Sequence, residues 1–360
     1  MNGSEVAVQG ADGTWLAWGT WSAASQIRVR LWSWNAEESI TPDLLRFRIR
    51  RAIAGRAALA ADPQTTAYRL IFSEADALPG LIVDRYGETL VVQFLSAGMS
   101  ARADHVITML AEEAEPRGIY ERAEPDIAQK EGITRSNELL WGELPDEIEI
   151  LENGYRFGVD ILSGQKTGAY LDQRLNRAAV ARYCQDAEVL SCFSYTGGFE
   201  VYAADAGAEA ITAIDSSADA LALARQNLSR NNVLVPVQQI DGNVFSELRR
   251  FRAEERQWDV IILDPPKFAA NATQVDAACR GYKDINLLAM QSLRPGGLLV
   301  TFSCSGLISA DLFQKVVWGA SVDARRDVQI IERLGQGADH PVLLTFPESD
   351  YLKGLVCRVW

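Results

Sequence analysis

The tetrapeptide Asp264-Pro265-Pro266-Lys267 follows directly on the apolar run Val260-Ile261-Ile262-Leu263. A run of that kind is expected as a buried strand. Two prolines forbid a helix after it and fix an extended turn, which would hold the Asp264 carboxylate rigidly at the strand end. Such a turn can grip the amino and ring-nitrogen edge of a flat base. Pro265, Pro266 and Lys267 would lie alongside that base, and Phe268 would offer a stacking face. A second apolar run ends at Thr301-Phe302-Ser303-Cys304-Ser305. An isolated cysteine is ordinarily buried and inert, but one at a strand's end beside a ligand crevice is a candidate nucleophile. Cys304 and Asp264 are therefore the expected catalytic groups.

Three further strand ends suit a nucleoside. The loop Ser191–Phe199 contains Phe193, Tyr195, Thr196 and Gly197-Gly198, and the glycines would let the backbone approach a ligand closely. Asp215, followed by Ser216, comes roughly 20 residues on, where an acid can accept hydrogen bonds from ribose hydroxyls. Asp241-Gly242-Asn243 is placed to meet an adenine edge, through Asp241 and Asn243. The dinucleotide fingerprint G-x-G-x-x-G is absent, so a pyrophosphate-binding turn is poorly supported. Adenosine with a sulfonium tail is favoured over a nicotinamide dinucleotide. A glycine turn with a capping aspartate occurs in any α/β fold, and the Asp264 turn is what lifts the reading above that.

The elements needed to position these groups can be read from residue 171 onward. Helices at 172–184, 198–206, 218–231, 244–255, 277–293 and 310–324 alternate with strands at 188–192, 210–215, 235–240, 258–263 and 298–302. Two last strands, 328–334 and 351–359, close the chain. Repeated β-α units predict a parallel sheet covered on both faces, with ligands at the strands' C-terminal ends where strand order reverses.

Earlier segments read differently. Strands are predicted at 14–20 and 26–34, then a helix from Pro42 to about Ala60 with Thr41 as N-cap. Strands at 68–72, 81–84 and 89–94, a helix at about 100–115 and a strand at 118–121 follow. The hairpin 147–151/155–160 turns at Asn153-Gly154.

Composition sets outer limits. A chain of 360 residues suggests two or three domains. No run approaches the ~18 apolar residues of a membrane span, and the N-terminus lacks a signal-peptide pattern, so a cytoplasmic protein with no membrane partner is expected. Five scattered cysteines (Cys184, Cys192, Cys279, Cys304, Cys357) and two histidines argue against a disulfide framework and a metal site. Apart from Cys304 they are expected to be structural. A net charge of −13 counts against loose, charge-driven binding to nucleic acid. The locally basic run Arg46, Arg48, Arg50, Arg51, Arg56 is most simply a solvated helix face.

Several motifs together resemble the bacterial ribosomal RNA large-subunit methyltransferase I family. The most specific are Ser163–Arg174, Cys192–Phe199, Asp264–Phe268, Cys279–Asn286, Phe302–Gly306, and the tail pieces His340-Pro341 and Tyr351-Leu352-Lys353-Gly354. The resemblance implies an α/β fold in which a class I Rossmann-like methyltransferase domain (166–360) follows a small α+β domain of the EEHEE type (41–165) and a partial PUA β-barrel (1–40). It implies S-adenosylmethionine as cofactor and 23S ribosomal RNA as partner, with 5-methylcytosine as product. It assigns Cys304 as the nucleophile and lays Lys166, Thr167, Tyr170 and Gln173 over the cofactor. Gln165 and Ala169 stand where relatives more often carry histidine and an aromatic residue, and residues 1–40 correspond to the second part of a PUA domain. Two alternatives stay open: an exocyclic N-methyltransferase on RNA, and an inactive RNA-binding assembly factor. A homodimer is compatible with the reading, and the oligomeric state is left open.

Overall fold

The computed structural model describes residues 1–360, which fold as two compact units. One comprises Met1–Leu171 with Ala338–Ser349, the other Asp172–Gly337 with Asp350–Trp360.

In the N-terminal unit, β1 (Glu5–Gln9), β2 (Trp15–Trp21) and β3 (Val29–Ser33) form an antiparallel sheet. The sequence reading missed β1. The next helix starts as expected: Thr41 accepts from the Leu44 amide and Pro42 occupies the first turn. It breaks at Arg56, which leaves helical geometry (φ −106°, ψ 9°), and a second short helix, Ala57–Ala60, carries on to the expected end. That break turns the Arg56 guanidinium inward onto both Asp76 oxygens, 2.7 and 2.8 Å away. The arginine run is accordingly not a simple solvated face. Arg46 and Arg50 pair with Glu113, Arg48 with Glu38, and Arg51 donates to the Asp76 carbonyl.

A five-stranded sheet follows, ordered β4 (Ala67–Phe72), β5 (Leu81–Tyr86), β6 (Thr89–Phe94), β7 (Gly118–Glu121), β8 (Glu138–Gly142). The helix Ala103–Ala114 joins β6 to its parallel neighbour β7, and the other pairings are antiparallel. β9 (Ile148–Glu152) and β10 (Tyr155–Val159) form the expected hairpin. Asn153 and Gly154 both have positive φ (51° and 89°), as a two-residue type I′ turn requires.

Ala338–Ser349 was expected within one continuous stretch 166–360, yet it packs in this unit. The Asp339 carboxylate accepts from the Arg69 amide, its carbonyl accepts from Arg56, and His340 meets the Phe72 ring edge-on.

The second unit holds a seven-stranded sheet: β11 (Glu188–Cys192), β12 (Ala210–Asp215), β13 (Val237–Asp241), β14 (Trp258–Leu263), β15 (Leu293–Ser303), β16 (Val328–Gly335) and β17 (Lys353–Val359). The spatial order is β13-β12-β11-β14-β15-β17-β16. β11 to β15 are parallel, as predicted, but β17 inserts antiparallel between β15 and β16.

Strand alternation divides the core between the two faces. Leu190, Ile261, Leu263 and Leu299 pack with Phe251, Trp258 and Tyr282. Val189, Val260, Ile262 and Val300 pack with Val180 and Phe199. Helices are therefore needed on both sides. Strand order reverses between β11 and β14, the position where an open α/β sheet leaves a crevice. No helix is long and apolar enough to cross a membrane.

Candidate active site at the switch of strand order

The loop after β11 is shaped by backbone torsion. Phe193, Tyr195 and Gly197 all have positive φ (63°, 47° and 84°). Non-glycine residues hold such angles only where their surroundings fix them. Here the Ser194 amide donates to the Ile214 carbonyl, the Gly197 amide to Ser194, and Asn227 to the Thr196 carbonyl. The Asp215 carboxylate completes the clamp, taking the Tyr195 amide on Oδ2 and the Ser217 amide on Oδ1, both at 2.9 Å.

The glycines also have an internal task. A Cβ at Gly197 would lie 3.1 Å from that of Ala224, and one at Gly198 would lie 2.9 Å from Arg177 Cδ. They let the loop press against its own helices, and Gly197 also supplies the left-handed turn.

Asp215 and Asp241 are register partners at adjacent strand ends, with Ser216 exposed beside them. Asn243 caps the helix Val244–Ala253 by accepting from the Ser246 amide, so its side chain has a structural task as well.

Across the switch point lies the second cluster. The Asp264 amide donates to the Cys192 carbonyl at 3.4 Å, tying the β14 end to the β11 end. Gln173 Nε2 donates to Asp264 Oδ1 at 2.8 Å, and Asn176 in turn holds Gln173 Oε1 at 2.5 Å. Burial, reinforced by the nearby Asp172 charge, pushes the Asp264 carboxyl up to about 7. Pro265 is buried, while Pro266 and Lys267 are exposed.

The Cys304 thiol approaches the Pro265 carbonyl (Sγ to O 3.8 Å), and so sits against the Asp264 turn as the sequence suggested. Its flanking serines both reach one phenol: Ser303 Oγ and Ser305 Oγ each lie 3.1 Å from Tyr282 Oη. Burial raises the Tyr282 hydroxyl, keeping it a neutral hydrogen-bonding group.

Phe268 departs from expectation. Its ring packs at 4.6 Å from Tyr282 and 6.0 Å from Phe245, and a Cβ at Gly281 would touch it at 3.3 Å. Internal packing therefore covers part of a ring that is half-buried. Lys166, Thr167 and Tyr170 fall in the N-terminal unit. Thr167 is buried there with Oγ1 2.6 Å from Asp84 and 2.8 Å from Tyr86 Oη, and Tyr170 donates to Gln165. Lys166 lines a cavity of about 460 Å³ with Arg122 and Arg135.

Burial pushes the Cys184 and Cys357 thiols up to about 12 and raises that of Cys192 too, which suits structural roles. Sequence reasoning missed Tyr282 as a support, the buried Glu200, whose carboxyl burial pushes to about 7, and Lys353. The motifs Cys279–Asn286 and Tyr351–Gly354 contain Tyr282 and Lys353 without saying what either does.

The donor set fits an adenosyl group. Each Asp215 oxygen keeps a lone-pair direction after its amide contact, Asp241 is adjacent, and the buried Ser194 hydroxyl has no protein partner.

Comparison with known proteins agrees with this geometry. Residues 127–356 match the family model described as S-adenosylmethionine-dependent methyltransferase. The chain is 51% identical to "Ribosomal RNA large subunit methyltransferase I" of Shewanella amazonensis, over 100% of this chain and 91% of that protein. It is 46% identical to the protein of the same name from Tolumonas auensis, over 99% and 90%. A methyltransferase crystallised in complex with SAH superposes with a TM-score of 0.89 at 23% identity, covering 99% of this chain and 92% of that one. That last likeness concerns the fold alone. S-adenosylmethionine is the cofactor, and the chain belongs to the S-adenosylmethionine-dependent methyltransferases, within the ribosomal RNA large-subunit methyltransferase I family.

Proposed function

We propose that this enzyme methylates carbon 5 of a cytosine in 23S ribosomal RNA through a covalent Cys304 adduct. The observation that carries the reading is the placement of the Cys304 thiol against the Pro265 carbonyl, beside Asp264. The names of the curated relatives support a ribosomal RNA substrate.

S-adenosylmethionine supplies an electrophilic methyl group. Phe193, Tyr195, Thr196, Gly197, Asp215, Ser216, Asp241 and Asn243 would hold it, with Gln173 supporting the site through Asp264. Lys166, Thr167 and Tyr170 remain cover candidates by resemblance only. Carbon 5 of cytosine is a weak nucleophile. Attack of the Cys304 thiolate on carbon 6 breaks aromaticity and moves electron density to carbon 5. Asp264, its carboxyl pushed up to about 7, keeps a protonated fraction near neutral pH that can donate to N3 of the ring. Once water or another base takes the carbon-5 proton, the electrons of that bond re-form the ring double bond, the carbon–sulfur bond breaks and the thiolate leaves with its electron pair. The target base must leave its stack to reach these groups.

Residues 1–40 are read as part of a PUA domain and 41–165 as an EEHEE-type domain. The three-stranded sheet and the β5-β6-helix-β7-β8 succession support that assignment.

The test is Cys304→Ala with 23S ribosomal RNA, alongside wild type with RNA containing 5-fluorocytosine. Expected are loss of methyl transfer with retained S-adenosylmethionine binding, and a stable wild-type protein–RNA adduct. Full activity of the variant would sink the reading and favour transfer to an exocyclic amine. Tight RNA binding with no methyl transfer by wild type would indicate an inactive assembly factor.

A further inference from the structure

Lys353 is a long cationic side chain that the fold has taken out of solvent, with only 9% of its surface exposed. It starts β17, opposite Ser303 in register, and Ser303 immediately precedes Cys304. The next residue leaves no room for adjustment: a Cβ at Gly354 would fall 2.5 Å from the Phe302 ring. The strand is therefore pressed against the one that carries the nucleophile.

Lys353 Nζ donates to the Ser305 carbonyl at 2.8 Å and the Tyr351 carbonyl at 2.7 Å. An ammonium has three N–H groups and a neutral amine has two plus a lone pair. Two carbonyls fully satisfy the neutral form. They leave the ammonium one proton over, and Cys304 lies between the register partner Ser303 and the acceptor Ser305.

We propose that Lys353 activates Cys304 as a cation held one residue away on the Ser305 carbonyl, where its charge stabilises the thiolate at the end of β15. The Sγ–H bond breaks, its electron pair stays on sulfur, and the proton passes to solvent, with no change of oxidation state. The inference rests on the Cys304 reading above.

The surrounding charges are consistent with a cation near neutral pH. Burial lowers the Lys353 ammonium to about 8, and Lys267 on the Asp264 turn pushes the same way. Asp350 and the Cys304 thiolate oppose them, favouring the charged amine. From the helix Val275–Gln291, Tyr282 faces the same cysteine and stays neutral. A thiol beside a cation is the ordinary way a protein obtains a nucleophilic sulfur near neutral pH.

The experiment is site-resolved alkylation of the full-length protein by iodoacetamide across pH 5.5–10 (roughly spanning thiol and amine titration), with the Cys304 peptide followed by mass spectrometry. In wild type, half-maximal reactivity is expected below the ~8.5 of an ordinary thiol. In Lys353→Met the midpoint moves up by about one unit or more, a roughly tenfold loss of rate at pH 7. Lys353→Arg keeps a cation and recovers part of that shift. An ordinary thiol profile in wild type overturns the inference even if Lys353→Met does not fold, and so does an unmoved profile in a folded Lys353→Met. A 5-fluorocytosine adduct with an unmoved profile removes the lysine's role alone. A shifted profile with no adduct upholds the pair and removes only the cytosine-5 reading.

Discussion

The two strand-end clusters of the methyltransferase unit use aspartate in opposite ways. At the end of β12, Asp215 takes one backbone N–H on each oxygen and thereby fixes the neighbouring loop. At the end of β14, Asp264 accepts from one side-chain donor, Gln173, and burial drives its carboxyl up to about 7. One carboxylate is anchored in place by two main-chain N–H groups. The other is held in surroundings that disfavour its charge, one residue before the carbonyl that the Cys304 thiol approaches. The first side needs a rigid acceptor that shapes a loop, whereas chemistry on the second needs groups whose protons can move near neutral pH.

Substituting asparagine at each position should separate these roles. Asp264→Asn keeps a hydrogen-bond donor but cannot give up a proton, so the rate of methyl transfer is expected to fall by about 10²-fold, the scale of losing a positioned general acid. It should also stabilise the fold at pH 8. The folded carboxyl lies above its ordinary value of 3.8, so the stability it contributes is fully present below that pH and is lost as pH rises through about 7. The difference in Tm between variant and wild type should therefore widen in the variant's favour from pH 4 to pH 8. A variant less stable than wild type at pH 8 would break the contrast. Asp215→Asn should do the reverse. Its amide oxygen can accept from only one of the two backbone N–H groups, while its NH2 faces the other. A loss of about 1–3 kcal/mol in a denaturant titration is expected, together with roughly tenfold weaker S-adenosylmethionine binding by calorimetry, about 1.4 kcal/mol.

What could be read from sequence followed the range of each signal. The strand ends were legible because an apolar run followed by Asp-Pro-Pro, or by Gly-Gly, is a local pattern with one geometric outcome. The Asn153-Gly154 hairpin was legible for the same reason. The helix Pro125–Glu131 and strand β8 were not, since seven- and five-residue elements carry too few apolar repeats to show a period. Tyr282 and Lys353 support Cys304 from 22 and 49 residues away in sequence, through contacts that only the folded sheet creates. The packing of Ala338–Ser349 with the N-terminal unit depends on Asp339 meeting Arg56 and Arg69, more than 250 residues upstream. No local pattern announces such partners.

The smallest expected effect concerns Phe268, which separates base recognition from internal support. Its position after the Asp264 turn suggested a stacking face, yet its ring lies against Tyr282, Phe245 and Gly281. Phe268→Leu keeps an apolar side chain but loses ring contacts, so a cost of about 1–2 kcal/mol in stability is expected. If internal support is the ring's main task, KM for ribosomal RNA should stay within about twofold, well under the 1–3 kcal/mol that removing a base-stacking aromatic costs. A rise in KM of tenfold or more, with stability near that of wild type, would return Phe268 to the substrate and shift the reacting cluster's boundary outward by one residue.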